Sequence, residues 1–293
     1  MTRKDFNFNH LLSLRSADYL RRMENVQRWD ILAELLTPLS SESNWNGICE
    51  LFSSWRYCAE KSEALKKTSV GLQAWPHALC HRYSSWRYLF EDNQASEITT
   101  IIRSITILRR ETQGNAELKM LAGSAYLSEL AILKVSGGEI YNDGLSALAA
   151  SQYLYALMDL TLEHLSLNTK EIALLSSGAA LFAIQSLRLA DVGMTQESCA
   201  QLLKGNLVRD LANLDLSNNI LVDDCASGIC DYCADNPIQK INLSHNFIRD
   251  AGAMYLVKNA DLSALNLSNN PIGEAQKLAL LEISRERGMS LIM

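Results

Sequence analysis

Leu211-Ala-Asn-Leu-Asp-Leu-Ser-Asn-Asn-Ile220 reads L-x-x-L-x-L-x-x-N, and the same ten-residue frame returns without a gap as Ile238-Gln-Lys-Ile-Asn-Leu-Ser-His-Asn-Phe247 and Leu262-Ser-Ala-Leu-Asn-Leu-Ser-Asn-Asn-Pro271. Side chains alternate faces along a strand, so the aliphatic pair Leu214 and Leu216 points inward while Asp215 between them points out. The asparagine that follows marks where the chain leaves the strand. Its amide can satisfy backbone groups of the adjoining coil that would otherwise be buried unpaired, so Asn219, Asn246 and Asn270 are expected to form a structural ladder.

Stepping the frame backwards finds weaker copies at Ile184/Leu187/Leu189, Leu157/Leu160/Leu162, Leu127/Leu130/Ile132 and Ile102/Ile105/Ile107, with successive spacings of 25, 30, 27, 27, 27 and 24 residues from first to last. In these four the asparagine slot holds Val192, Leu165, Val135 and Arg110. Between strands lie stretches with helical spacing, such as Asp250 to Asn259, in which Ala253, Leu256 and Val257 share one face. A recurring strand-plus-helix unit cannot bury its apolar face alone, and stacking such units gives a solenoid. The fold class expected is therefore α/β: a right-handed leucine-rich-repeat solenoid of about seven repeats, a horseshoe with a parallel sheet on the concave face and helices on the convex face.

Residues 1–95 lack the frame and carry all five tryptophans, with helical spacing at Leu20, Met23, Trp29, Leu32, Leu35 and Leu36 and again at Ile48, Leu51, Trp55 and Cys58. The pentapeptide Ser53-Ser-Trp-Arg-Tyr57 recurs as Ser84-Ser-Trp-Arg-Tyr88. A solenoid needs an end that hides its first apolar face, so 1–95 is expected to be an all-helical N-terminal cap and 96–293 the repeat domain.

Composition narrows the function classes. Lys+Arg 27 against Asp+Glu 33 gives a formal net charge of -6, the wrong balance for a general phosphate-binding surface, so nucleic acid is not an expected partner. Seven scattered cysteines do not form a disulfide framework and fit a reducing cytosol. The polar start lacks the apolar core of a secretory signal, and no run of 18 apolar residues offers a membrane span. A cytoplasmic monomer is expected.

The sequence offers little for catalysis or metals. Cys225, Cys230 and Cys233 include a C-x-x-C, but a fourth ligand is missing nearby and the positions suit small buried helix residues. His77, Cys80 and His81 lie close together without a paired acid or a second ligand cluster. Cys49 or Cys58 could serve as a nucleophile only with a distant histidine, and no phosphate loop, dinucleotide fingerprint, H-E-x-x-H or nucleophile elbow is present. No enzyme, no metal and no cofactor are expected. Asn242-Leu-Ser244 and Asn266-Leu-Ser268 match a glycosylation sequon but fall on expected inner strands.

A binding wall follows from the register, because a slip by one residue would bury charges. The central outward column is Thr106, Ala131, Thr161, Arg188, Asp215, Asn242 and Asn266. The preceding one is Ser104, Glu129, Asp159, Ser186, Asn213, Lys240 and Ala264, and the following one Leu108, Leu133, Glu163, Ala190, Ser217, Ser244 and Ser268. Leu108 and Leu133 beside Glu129, Asp159 and Glu163 make an apolar pair rimmed by charge, with Thr161, Arg188, Asp215, Lys240 and Asn242 continuing the wall. That mixture suits a protein interface.

The repeats from about residue 100 to 285 resemble those of ribonuclease-inhibitor-like leucine-rich-repeat proteins, which implies the fold and a protein partner. The whole chain, with its degenerate early repeats and polar start, is similar to the leucine-rich-repeat effectors that intracellular bacteria deliver into host cells by type IV secretion. Glu282 and Glu286 ahead of Ser290-Leu-Ile-Met293 resemble the acidic-then-apolar export signals of such effectors. This resemblance implies export into the host cytosol and a host protein as partner. Residues Trp29 to Lys67, with Ile31-Leu-Ala-Glu-Leu-Leu36, Leu39 and Leu51-Phe-Ser-Ser-Trp-Arg56, resemble an F-box without its leading Leu-Pro. That alternative implies a ubiquitin-ligase substrate adaptor. A third reading is a catalytic cap with Cys80 and His81 as its candidates.

Overall fold

Alternation of aliphatic and polar residues makes strands here, and the 3.6-residue spacing that follows each one makes a helix. The computed structural model describes residues 28, 31–32, 35–36, 42–54, 59–75, 80–83, 100–108, 115–138, 140, 142–178 and 181–293. Within these, β1 (His81–Tyr83), β2 (Ser104–Leu108), β3 (Ile132–Ser136), β4 (Asp159–Glu163), β5 (Ser186–Ala190), β6 (Asn213–Asp215), β7 (Lys240–Asn242), β8 (Ala264–Asn266) and β9 (Ser290–Ile292) form one parallel sheet in chain order. Ile105, Leu133, Leu160, Leu187, Leu214, Ile241, Leu265 and Leu291 lie rung over rung.

The helices are α1 (Glu42–Ser54), α2 (Ala59–Gly71), α3 (Asn115–Ala122), α4 (Asn142–Ala149), α5 (Thr169–Ser176), α6 (Gln196–Leu203), α7 (Cys225–Asp235), α8 (Asp250–Asn259) and α9 (Glu274–Glu286). From α3 onward each packs against the next, as parallel strands joined by crossover helices require. In α8 the buried face is Gly252, Ala253, Leu256 and Val257. A Cβ on Gly252 would stand 2.5 Å from Asp223 Oδ1 and 2.8 Å from its Cα, so only glycine lets α8 approach that turn. Asp223 Oδ1 there accepts the Arg249 N–H at 2.6 Å.

One core runs through the molecule, from Ile31, Leu32, Trp45, Ile48, Leu51 and Phe52 through Cys80, Ile101 and Ile105 to Leu265, Leu280 and Met289. The helical N-terminal residues thus share an interior with the first rungs. Among the described residues the sheet begins at His81, ahead of the division expected after residue 95, and its strands number nine against about seven expected repeats.

One register differs from expectation. The frame fits both Leu127/Leu130/Ile132 and Leu130/Leu133/Val135, and the structure takes the second: Leu133 pairs with Ile105 and Leu160. The reason lies beyond the frame, because the first choice would turn Leu133 and Val135 to solvent and Lys134 inward. Leu133 is 0% exposed, and Leu127 is buried in a 3-10 turn, Ala125–Leu127. Intervals between rung residues Ile105, Leu133, Leu160, Leu187, Leu214, Ile241 and Leu265 become 28, 27, 27, 27, 27 and 24.

At the far end of the strands Asn219, Asn246 and Asn270 are buried. Asn219 Nδ2 donates to Leu189 O at 2.8 Å and Leu216 O at 3.0 Å, and its Oδ1 accepts from Val192 N at 3.2 Å and Met194 N at 3.0 Å. Asn246 bonds Leu216 O, Leu243 O and the Leu221 N–H, and Asn270 bonds Leu243 O, Leu267 O and the Ile248 N–H. Just before each slot the chain takes a left-handed turn, with φ of 56° at His164, 54° at Asp191, 58° at Asn218, 56° at His245 and 57° at Asn269. Asn, Asp and His are the side chains that best tolerate this conformation.

Candidate functional site

The sheet's outward face is the candidate site, and the observed register defines it. Its central column is Thr106, Lys134, Thr161, Arg188, Asp215, Asn242, Asn266 and Ile292, preceded by Ser104, Ile132, Asp159, Ser186, Asn213, Lys240, Ala264 and Ser290. A trough of ≈ 440 Å³ runs along it from Lys134 and Asp159 to Asn266 and Ile292.

Arg188 on β5 organises the middle of the trough. Its Nε donates to Glu163 Oε2 on β4 at 3.1 Å, and its Nη1 donates to Asp215 Oδ2 on β6. One guanidinium therefore ties three successive rungs together across the open face. The Asp215 carboxylate is aimed by its own chain, since Oδ1 accepts the Ser217 N–H at 2.9 Å. At the early end burial raises the pKa of Asp159 from the ordinary value, opposed by Lys134 and by a hydrogen bond from Thr161. Asp159 is thus a partly desolvated acid beside a lysine.

The structure brings Asp159, Thr161, Glu163, Arg188, Asp215, Lys240 and Asn242 onto one face, with Thr161 buried within it and Leu108 at its early rim, 45% exposed. Three expected wall residues are elsewhere. Leu133 points into the core, for the register reason above. Glu129 and Ala131 precede β3 instead of lying on it; the Glu129 carboxylate stands 3.8 Å from the Arg103 guanidinium and Ala131 is buried. Arg103 is itself 2% exposed, bonded to Thr100 O and to Ser69 O and Oγ. Lys134 and Ile132 replace Glu129 and Ala131 on the wall, and the signal that could have found them is the alternation Leu133-Lys134-Val135.

The thiols are placed for packing. Cys225, Cys230 and Cys233 are buried on α7, and burial pushes them up to about 12, about 11 and about 12. Burial raises Cys199 as well. Among the described residues no group of three His, Cys, Asp or Glu side chains could hold a metal ion. Cys80 is buried and pushed up to about 11 by desolvation, which the nearby Arg103 charge only partly offsets; a neutral, enclosed thiol is a poor nucleophile. His81 lies in β1, Cys49 is half-buried, and His77 and Cys58 lie outside the described residues. The sequon asparagines Asn242 and Asn266 stand on the wall.

Of the F-box-like residues, Ile31, Leu32, Leu35, Leu51 and Phe52 are buried in the chain's own core, whereas Trp29, Leu39, Trp55 and Arg56 lie outside the described residues. The tail Ser290–Ile292 is β9, with Leu291 packed against the core beside Leu265. No helix among the described residues is long and apolar enough to cross a membrane.

No family model matches the sequence, and no curated protein matches it. Among solved structures, the chain is similar to the crystal structure of the TLR13–ssRNA13 complex, with TM-score 0.43, 20% identity, and cover of 65% of this chain and 25% of that one. It is also similar to human 5T4 (Wnt-activated inhibitory factor 1, trophoblast glycoprotein), with TM-score 0.42, 18% identity, and cover of 71% and 84%. An internalin, inlF, from Listeria monocytogenes gives TM-score 0.37, 14% identity, and cover of 91% and 94%. The chain spans a quarter of the TLR13 chain's length. The class of protein is read from the chain's own geometry: in-register parallel rungs, a helix between successive rungs from β2 onward and a buried asparagine ladder make it an α/β leucine-rich-repeat solenoid.

Proposed function

We propose that this chain is a non-catalytic recognition module that binds a protein partner through the inner wall of its sheet. The observation that carries the reading is the Glu163–Arg188–Asp215 bridge across three rungs. It holds charged groups in fixed geometry on an open face, where the side-chain entropy of an interface is already partly spent. Leu108 at one end and Ile292 at the other supply apolar contact beside this polar centre, the combination that interface hot spots use.

Capture of partners from a eukaryotic lysate tests it. Arg188→Glu should abolish capture that Lys258→Glu, at an exposed position on α8, leaves intact; the opposite pattern would place binding on the helices. In the finer reading the partner is a host protein, met after delivery from a bacterium by type IV secretion. The resemblance of the degenerate repeats and of Glu282, Glu286 and the apolar tail supports this. Because Ser290–Ile292 pairs with β8, delivery would require that strand to be released. A translocation-reporter fusion that still enters host cells after deletion of 290–293 would remove the tail from the reading.

A further inference from the structure

The central column holds an internal comparison. Asp215, Asn242 and Asn266 occupy register-equivalent positions, and in each the Oδ1 atom accepts the N–H two residues on: Ser217 at 2.9 Å, Ser244 at 3.1 Å and Ser268 at 3.0 Å. A backbone N–H can only donate, so this bond also settles which side-chain atom of each asparagine is oxygen. The second atom is left to the trough. In Asp215 it is a carboxylate oxygen, and the chain supplies its own cation, Arg188. In Asn242 and Asn266 it is an amide Nδ2, and among the described residues neither has an acceptor.

Lys240 stands two residues before Asn242 on the same face, and no described carboxylate pairs with it. Its register partner is Ala264, a small side chain that leaves the trough open beside it. The wall therefore divides. Its middle holds Arg188 between two acids and keeps a net negative charge, while its late end presents two oriented amide donors and an ammonium with no described acid paired to it.

We propose that this late end, formed by Lys240, Asn242 and Asn266, is a seat for an acidic side chain of the partner, a glutamate or aspartate carried on a peptide segment lying in the trough. This rests on the wall being the binding face. A carboxylate there accepts from Nδ2 of both asparagines and pairs with the lysine, bonds that are strengthened by its charge. Adjacent rungs are about 4.8 Å apart, a spacing that one side chain can bridge.

The experiment uses the full chain and a fluorescein-labelled dodecapeptide of alternating Gly and Glu, followed by anisotropy against its Gly/Gln counterpart. The expected result is at least tenfold tighter binding of the Glu peptide, a preference abolished in Asn242→Asp/Asn266→Asp. That variant should fold normally, because Asp215 already keeps the same turn in the same column, and an unchanged thermal melt checks it. Equal binding of the two peptides, or a Glu preference that survives in the variant, overturns the proposal. Lysate capture separates this failure from that of the wall: partners lost on Arg188→Glu but indifferent to the asparagine variant leave the wall standing without its acidic seat, and partners indifferent to both remove the wall as well.

Discussion

The rung of Leu160 and the rung of Leu187 face the same problem with different atoms. Five and seven residues past the rung leucine, each has two backbone N–H groups leaving the strand. In the earlier rung Leu165 N donates to Asp191 O at 3.1 Å and Leu167 N to Val192 O at 3.0 Å. In the later one Val192 N and Met194 N both donate to Asn219 Oδ1, at 3.2 and 3.0 Å. Where the next coil has asparagine in the slot, its side chain takes the bonds; where it has valine, the next coil's backbone takes them. An absent ladder residue is therefore not an absent turn, and the Leu160 rung is complete without it.

The largest effect should come from what the two halves share. Leu160→Ala and Leu214→Ala, both at fully interior rung positions, should each cost about 2–5 kcal/mol in chemical denaturation. A cost below about 0.5 kcal/mol at either site would break the shared-core side of the comparison. Next comes what they do not share. Asn246→Val removes the acceptor of Leu221 N and the donor to Leu216 O and Leu243 O, and stranding buried polar groups should cost about 1–3 kcal/mol. Val192→Ala, in the equivalent slot, loses only apolar packing and should cost less than Asn246→Val. Equal costs would mean that the ladder is dispensable.

A smaller effect concerns the left-handed column. His164→Val should lose about 1–2 kcal/mol, because a β-branched side chain clashes at φ 56°, whereas His164→Gly should stay near wild type. The smallest belongs to the wall. Burial raises the Asp159 pKa from its ordinary value of 3.8, so the folded state holds a proton more tightly than the unfolded one. Asp159 therefore contributes best below that value, and its contribution falls as pH rises through the raised one. Asp159→Asn should raise the melting midpoint at neutral pH, and the gain should fade on acidification below about 4; a loss at neutral pH would show that Lys134 outweighs burial.

The fold was legible because its strongest signal repeats. Aliphatic residues at Leu187, Leu214, Ile241 and Leu265 recur with period near 27, and stacking them rung over rung buries them all. The failure at Leu133 was equally physical. Leu127, Leu130, Leu133 and Val135 are all apolar, so a local frame fits twice, and only the outward Lys134 distinguishes the fits. Arg188 was legible as a wall residue from spacing alone, but its bonds to both Glu163 and Asp215 depend on rungs 27 residues apart meeting in register. The donor character of Asn242 and Asn266 was hidden more deeply, since it depends on which side-chain atom the following serine N–H claims.

Register on the early wall is the claim on which the site depends, and cysteine trapping reads it directly. Thr161 lies beside Lys134 on the neighbouring strand, within the separation that a disulfide spans. Under mild oxidation, Lys134→Cys/Thr161→Cys should form a peptide-mapped cross-link, while Ala131→Cys/Thr161→Cys should remain reduced. Cross-linking of the second pair but not the first would put Leu133 back on the surface and dismantle the wall as described.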